Sequence, residues 1–393
     1  MIELLYFVGF SIFCLLSVIL VDSKVFTKKI DPIELSYQEP DEDVLREKIR
    51  AVSINRKQLF QTAIVMKDVT KVYDNEIAVK NLTMRIEEGE SFGFIGLAGS
   101  GKSTVLNILS GETIPNRGGA YYRGRSLITK RKQCQKEIGY CPDASYYDDF
   151  TINEYIKVFL MIHGYNRKDV KRMPLEFASA FMFSHHIKKK LKDCSKYTKK
   201  KINLSVTLIG CPKLVMIDEP TIGLDPFKSE VIWKIINGMR RSGKTVIIST
   251  FSVKEASELC DRIGILCNGE LINVGTKSEI LSRFGEGWIL QIRVNERAMK
   301  EAGQSRSLKF FENIDEFVTL SFFGAILREK IGLSIQFFVP ITPEIGVRWS
   351  RTFRMMEANK ERLGIEDYSV SVVNVKEVYL IRTENQAELK PNK

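Results

Sequence analysis

A glycine-rich segment between an apolar run and a helix-like stretch is the part of this sequence best suited to chemistry. SFGFIGLAGSGKST has the pattern of a strand, then G-x-x-x-x-G-K-S from Gly96 to Ser103, then a helix that begins VLNIL. Glycines let backbone N–H groups curl around phosphates, Lys102 supplies a point charge, and the Ser103 hydroxyl can bind magnesium. The pattern predicts a phosphate site made of Gly96, Gly99, Ser100, Gly101, Lys102, Ser103 and Thr104.

Two acidic residues follow a second apolar run. In KLVMIDEP the strand ends at Asp218, which is suited to hold a magnesium ion through its water shell. Glu219 comes next and is suited to polarise an attacking water. With the glycine-rich segment, these residues predict a site for ATP and Mg²⁺, with Ser103 and Asp218 as metal ligands and Glu219 as the catalytic residue.

The amino terminus carries an uncharged run of 18 residues from Leu4 to Val21, near the lower limit for a helix that crosses a bilayer. Glu3 precedes it, and Lys24, Lys28 and Lys29 follow it. A secretory signal has the opposite charge order, and the positive-inside rule places the carboxyl side in the cytoplasm. We therefore predict a transmembrane helix over 1–22 rather than a signal peptide or a buried soluble helix.

Length and composition are those of a globular chain. The 393 residues, 44% hydrophobic and 27% charged, indicate two or three domains. The net charge of +11 suits either nucleic acid or an anionic membrane surface. The seven cysteines include no C-x-x-C pair, and the three histidines lack metal-ligand spacing, so reduced thiols and no metal cluster are expected.

The pattern of polar, strand-like and helical stretches changes twice along the sequence. The polar stretch 23–61 reads as a juxtamembrane linker with one short helix, DEDVLREKIRAV, whose apolar residues share one face. Over 62–287, strand-like runs such as AIVMKDV alternate with helical stretches, which predicts an α/β domain around a mainly parallel sheet. Over 288–384, the runs WILQIRV, FVTLSFF, LSIQFFV and DYSVSVV with the helix SRTFRMMEANKERLG predict a smaller α+β domain before a flexible tail, 385–393.

Several motifs now resemble those of ATP-binding cassette (ABC) proteins, in the same order: Tyr73 in KVYDN, the loop 96–103, the acidic pair and GLDP at 223–226. Further stretches are similar to the carboxyl half of A-subfamily ABC transporters, the lipid-handling branch: DEDVLREKIR, IGYCPDASYY, CSKYTKKKINLSVTLIGCPK, SELCDRIGILCNGEL, SRFGEGW and LGIEDYSVS.

The resemblance carries several implications. Tyr73 would stack on adenine, although a strand-end aromatic packed on the sheet is an equal interpretation from the residues alone. The domain after Gly287 would be a cytoplasmic regulatory domain with a ferredoxin-like βαββαβ order. The partners would be a second nucleotide-binding domain and transmembrane domains, and a membrane lipid would be the substrate.

Three positions depart from the family pattern. Asp143 stands where the family has a glutamine, Ser195–Thr198 read SKYT in place of S-G-G plus a polar residue, and Phe251 replaces the switch histidine. A phenyl ring can neither donate a hydrogen bond nor carry charge, so weak hydrolysis is expected. In a shifted alignment, Ser252 would serve instead.

Two functions from different classes remain. The first is a cassette of a lipid transporter with weak ATPase activity, and the second is a regulatory partner that binds ATP without turning it over. A soluble nucleic-acid ATPase is disfavoured by the apolar run 4–21. The basic stretch HHIKKKLKDCSKYTKKK is interpreted as a solvated helical face rather than as a nucleic-acid site. One span cannot form a pathway, so the chain is expected to be a fragment of a longer transporter or to dock onto one.

Overall fold

The computed structural model describes residues 41–74, 76–143, 149–283, 287–295, 304–340 and 349–372. The predicted transmembrane helix, the linker as far as residue 40 and the tail 385–393 lie outside these ranges. Within them, no helix is both long and apolar enough to cross a membrane.

The described residues form helices and strands that we number in chain order. The α-helices are α1 Glu42–Val52, α2 Arg56–Gln61, α3 Lys102–Leu109, α4 Arg131–Gln135, α5 Ile152–Ile162, α6 Arg167–Ala180, α7 Lys196–Thr207, α8 Pro226–Arg241, α9 Val253–Leu259, α10 Lys277–Arg283, α11 Gln304–Ser321 and α12 Trp349–Asn359. The strands are β1 Thr62–Tyr73, β2 Glu76–Glu87, β3 Ser91–Ile95, β4 Arg117–Tyr122, β5 Arg125–Ser126, β6 Ile138–Cys141, β7 Leu214–Asp218, β8 Thr245–Thr250, β9 Arg262–Cys267, β10 Glu270–Thr276, β11 Gly287–Val294, β12 Ile326–Ile331, β13 Ser334–Pro340 and β14 Ile365–Val372.

A six-stranded sheet carries the predicted site. Its order is β10-β9-β3-β8-β7-β6, and all neighbours are parallel except β10, which pairs antiparallel with β9. Strands β3, β7 and β8 are buried along their whole length, as expected for a parallel sheet covered on both faces. Because β3, β7 and β8 run in the same direction, their carboxyl ends meet at one edge, where the phosphate loop, the acidic pair and Phe251 follow them.

The prediction that AIVMKDV belongs to the parallel sheet was wrong. This run forms β1, the second strand in an antiparallel sheet of order β2-β1-β4-β5. Ile64 and Met66 on β1 pack with Phe92 and Phe94 on β3 in one buried cluster. A buried apolar run reads alike in both sheet types, which is why the sequence did not separate them.

The helix expected in DEDVLREKIRAV is present as α1, but its packing differs from an amphipathic reading. Leu45, Ile49 and Val52 are exposed. The buried side instead carries Ala51 and the acidic Glu47, which accepts hydrogen bonds from the backbone N–H of Arg85 and from Arg262, at 3.0 and 2.6 Å. Ion pairing and the burial of Ala51 therefore both attach α1 to the sheets.

The final elements follow the order β11-α11-β12-β13-α12-β14, with an antiparallel sheet of order β12-β13-β11-β14. FVTLSFF was predicted to be a strand, but most of it lies in α11. Phe311, Ile314, Val318 and Phe322 recur at helical spacing and face the core of this sheet, which explains the helix. Strand β12 was not predicted.

Candidate nucleotide site

The phosphate loop joins the buried strand β3 to α3, and its glycines are required by close contacts. A Cβ at Gly96 would lie 2.2 Å from Ser100 Oγ, and one at Gly101 would lie 2.3 Å from the carbonyl oxygen of Ala78. Gly99 and Gly101 have φ of +78° and +99°, which side chains other than glycine rarely adopt. The sequence therefore folds this loop into a turn lined by backbone groups.

The polar groups of the loop lie where a phosphate could bind. Gly101 caps α3, so Lys102, Ser103 and Thr104 occupy the first turn of a helix, where N–H groups favour anions. Ser100 Oγ is buried without a hydrogen-bond partner. An orphaned buried hydroxyl beside a glycine cradle fits a phosphate group, and the exposed Ser103 is accessible to a metal.

Lys102 is the central cation of the site and is almost fully buried. Its ammonium donates to the carbonyl oxygens of Gly96 and Leu97 at 2.7 and 3.0 Å and lies 3.9 Å from Glu219 Oε1. Burial lowers the pKa of Lys102, and the nearby Glu219 and Asp218 oppose that shift. The ammonium is held by groups that a phosphate could replace.

Asp218 ends β7 as predicted, Glu219 follows it, and both residues are buried. Asp218 accepts a hydrogen bond from the Ser249 hydroxyl on β8. Glu219 has a φ of +45°, and its N–H donates to Ser249 O at 3.0 Å. A positive φ is costly for glutamate, so the turn is maintained by its surroundings.

The Glu219 carboxyl is only partly paired. Its Oε2 accepts the backbone N–H of Phe251 at 3.3 Å, whereas Oε1 is buried without a hydrogen bond. Burial raises the pKa of Glu219 to about 7, although Lys102 favours the charged form. A carboxyl with a pKa near 7 can exchange a proton at neutral pH.

Phe251 places its ring against the phosphate-loop lysine. The ring centre lies 4.2 Å from Lys102 Nζ, and 40% of the residue is exposed. Ser252, the alternative residue, caps α9 by accepting the N–H of Glu255 at 3.2 Å. Ser252 is therefore engaged in helix capping at this position.

The charge of Asp143 is balanced by a lysine that the sequence analysis did not single out. Lys200 Nζ donates to Asp143 Oδ1 at 2.5 Å and to the carbonyl oxygen of Glu219 at 2.6 Å. Lys200 is on α7, two residues after the SKYT segment. The basic stretch had been interpreted as a solvated helical face, and this is wrong for Lys200 and Lys201, which are both buried.

The SKYT segment begins α7. Ser195 caps the helix by accepting the N–H of Thr198 at 3.2 Å, as a short polar residue at this position does. Lys196 is exposed, and Tyr197 is half-buried beneath the Lys201 ammonium, 4.5 Å from its ring centre. The cap is retained while the two positions after it carry bulky side chains.

Tyr73 ends β1 with 41% of its surface exposed. The Lys71 ammonium lies 4.9 Å from its ring centre. The ring is therefore accessible rather than buried on the sheet.

Glu255 is a second residue that sequence reasoning missed. This buried carboxylate accepts hydrogen bonds from Thr250 and Thr221 and from the indole N–H of Trp233, at 2.5, 2.7 and 2.9 Å. The only sequence signal is S-x-x-E from Ser252, which resembles a capping box. Glu255 instead connects the end of β8 to the loop after Glu219 and to α8.

Two family models match the chain. Residues 79–222 match the ABC transporter model, and residues 285–372 match the model for the ABCA1-like, C-terminal R1 regulatory domain. The two matches occur in the order that the motifs predicted.

Curated proteins that are similar to this chain include members of the ABC A subfamily. The chain is 28% identical over 344 residues to human phospholipid-transporting ATPase ABCA3, covering 86% of the chain and 20% of that protein. It is 29% identical over 361 residues to bovine retinal-specific phospholipid-transporting ATPase ABCA4, covering 91% of the chain and 15% of that protein. It is 30% identical over 353 residues to rat ATP-binding cassette sub-family A member 7, covering 89% and 16%. The chain thus spans a fifth or less of the length of these relatives.

Solved structures support the α/β fold. An ATP-binding subunit of an ABC transporter superposes with a TM-score of 0.52 at 26% identity, covering 57% of this chain and 93% of that one. The cassette cbiO1 from Clostridium perfringens also gives 0.52, at 22% identity, covering 57% and 92%. These likenesses show the fold, and the two family models show an ABC transporter domain followed by an ABCA1-like R1 regulatory domain, which is similar to the carboxyl half of the A-subfamily relatives.

Proposed function

We propose that this chain is the cassette part of an A-subfamily-like membrane transporter, which binds Mg-ATP at Gly96–Thr104 and hydrolyses it slowly. The observation that carries the proposal is the buried Lys102 ammonium, 3.9 Å from the Glu219 carboxyl. The glycine cradle and the orphaned Ser100 hydroxyl fit a triphosphate. Ser103 and Asp218 would hold Mg²⁺, which would screen the phosphate charge.

Slow hydrolysis follows from what surrounds Glu219. Phe251 offers the site a backbone N–H, already used by Glu219, and an apolar ring. Hydrolysis needs contacts that strengthen as the terminal phosphate leaves, and a phenyl ring cannot supply one. The same feature favours the alternative function, a regulatory cassette that binds ATP without turnover.

Assembly and location are further parts of the proposal. ABC domains act as dimers together with transmembrane domains, and one solved cassette of this fold is described as a dimer bound to ADP and Pi. We infer that residues 62–287 pair with a second nucleotide-binding domain in the same way. Two of the three curated relatives are described as phospholipid-transporting, so a membrane lipid is the substrate class we propose.

The domain boundaries also belong to the proposal. Residues 288–384 would form the regulatory domain, supported by the R1 match and by the βαββαβ order of β11 to β14, which we interpret as ferredoxin-like. The run 4–21 would anchor the chain in a membrane with both domains in the cytoplasm. Release of the full chain by alkaline carbonate would contradict the anchor and revive the soluble nucleic-acid ATPase.

Equilibrium binding of a fluorescent ATP analogue tests the central claim. Lys102→Ala should abolish measurable binding, because the main charge facing the phosphates is lost. Lys201→Ala removes another buried lysine, outside the proposed phosphate site, and should retain binding. Unchanged affinity in Lys102→Ala would refute the phosphate-loop assignment.

A further inference from the structure

Lys200 links three elements at the edge of the nucleotide site. It lies on α7 and contacts Asp143, which follows β6, at 2.5 Å. It also contacts the carbonyl oxygen of Glu219, which follows β7, at 2.6 Å. The helix that begins at the SKYT segment is therefore bonded to the turn that carries the catalytic carboxyl.

Burial of the Lys200 ammonium costs free energy unless its charge is compensated. The Lys200 side chain is 7% exposed, whereas that of Asp143 is 51% exposed. A buried ammonium is costly unless charged or polar acceptors surround it. Asp143 supplies the compensating charge, and the Glu219 carbonyl supplies the second acceptor. Loss of either acceptor should loosen the position of Lys200.

The same contacts bear on what Asp143 does. Near bound phosphates its negative charge would be unfavourable unless a cation lay between. In the structure the neighbouring cation is the Lys200 ammonium. A metal ion at Asp143 would lie close to this buried ammonium, so the repulsion between the two cations opposes metal binding there.

We propose that Asp143 is a positioning residue: through Lys200 it braces α7 against the Glu219 turn, and it does not bind the metal. The proposal rests on the proposed function only for the identity of the site. It predicts that Asp143 and Lys200 act as a unit that controls the distance between the start of α7 and Glu219.

Hydrogen exchange of the full 393-residue chain, without nucleotide, tests the brace. Asp143→Asn and Lys200→Met should each raise exchange in 196–207 and in the turn after Glu219 by about 10-fold, as expected for loss of a charged hydrogen bond. The double variant should add little to either single change, because the two residues share one interaction. Lys200→Arg keeps the charge and should restore most of the protection.

Lys201→Met is the matched control. Lys201 is also buried on α7, but its ammonium donates to Met182 O at 2.7 Å and not to Glu219. This variant should leave exchange in the Glu219 turn unchanged. Equal loosening of that turn by Lys201→Met, or full additivity of the Asp143 and Lys200 changes, would overturn the brace.

Metal dependence separates the brace from a ligand role. In Asp143→Asn, the Mg²⁺ concentration that gives half-maximal binding of the ATP analogue should change less than about 2-fold. A metal-site residue would shift it by about 10-fold or more. Such a shift with unchanged exchange in α7 would show that Asp143 binds the metal. Absence of ATP binding in the unaltered chain would refute the proposed function, whereas the nucleotide-free exchange would still report on the brace.

Discussion

The ammonium of Lys102 lies 4.2 Å from the centre of the Phe251 ring. A cation facing an aromatic ring gains about 0.5–2 kcal/mol, more when desolvated. A phosphate that binds Lys102 must compete with this contact. We therefore expect Phe251 to affect nucleotide binding as well as turnover.

Replacement of the ring should strengthen nucleotide binding. We expect Phe251→Leu to raise the affinity for the ATP analogue by about 2- to 30-fold, the range that corresponds to the lost cation–π contact. Phe251→Tyr keeps an aromatic face and is the control. An affinity unchanged in Phe251→Leu would mean that the ring does not restrain Lys102.

Two glycines of the phosphate loop should differ in their tolerance of alanine. Both have positive φ, but a Cβ at Gly101 would lie 2.3 Å from Ala78 O, whereas a Cβ at Gly99 would meet nothing within 4 Å. Gly99→Ala should cost about 1 kcal/mol of unfolding free energy, from backbone strain alone. Gly101→Ala should cost more and abolish ATP binding, because backbone must move. Denaturant titration and the binding assay measure both, and equal effects would contradict the loop geometry.

The phosphate loop was predictable because the residues that specify it are close together in the sequence. Gly96, Gly101 and Lys102 lie within seven residues, and the turn that they form needs glycine at fixed positions. The Lys200 brace was not predictable, because its acceptors are 57 and 19 residues away along the chain. Only the folded chain brings these groups together.

The prediction of secondary structure failed where the pattern of apolar residues was ambiguous. FVTLSFF is short, apolar and rich in strand-favouring residues, but most of it belongs to an 18-residue helix, α11. In α1 the predicted apolar face is exposed, and the acidic Glu47 packs inward beside Ala51. An ion pair with Arg262 decides that orientation, and periodicity does not report it.

Glu219 should make stability depend on pH near neutrality. Its pKa is raised from 4.5 to about 7, so the folded chain holds the proton more tightly than the unfolded chain. The resulting stabilisation is complete below pH 4.5 and is lost as the pH rises through 7, on the order of 1–3 kcal/mol. The lowered pKa of Lys102 acts with the opposite sign, because it makes stability rise with pH between the folded pKa of the lysine and 10.5.

Thermal or denaturant unfolding between pH 5 and 8 measures this effect. Glu219→Gln removes the titrating group, so the stability of the unaltered chain relative to the variant should fall as the pH rises. The same change at the exposed Glu258 on α9 should leave the profile unaltered. A relative stability that rises with pH would show that Glu219 is charged in the folded chain.

The buried Glu255 should stabilise both the end of β8 and the turn after Glu219. Glu255→Gln places an amide group among three donors and should lower the free energy of unfolding by about 2–4 kcal/mol. Glu258→Gln, on the exposed side of the same helix, should cost less than about 0.5 kcal/mol. Denaturant titration compares the two. Similar costs would mean that the hydrogen bonds from Thr221, Thr250 and Trp233 are energetically minor.

Affinity and turnover should separate in the unaltered chain. The glycine cradle, Lys102 and the proposed metal ligands are all in place for binding. Turnover also needs transition-state contacts, each worth about 10²- to 10³-fold in rate. Purified protein should therefore bind the ATP analogue with ordinary strength and release phosphate at a rate near background.

Restoring single positions should achieve little, because catalytic groups that act as a unit are not additive. Phe251→His alone leaves Asp143 paired with Lys200 and leaves bulky residues at 196 and 197. Combining Phe251→His with Asp143→Gln and Lys196→Gly/Tyr197→Gly, in a dimer with an intact partner cassette, should raise phosphate release far beyond any single change. Rapid phosphate release by the unaltered chain, abolished by Glu219→Gln, would show instead that Glu219 acts without a histidine and that Phe251 is compatible with catalysis.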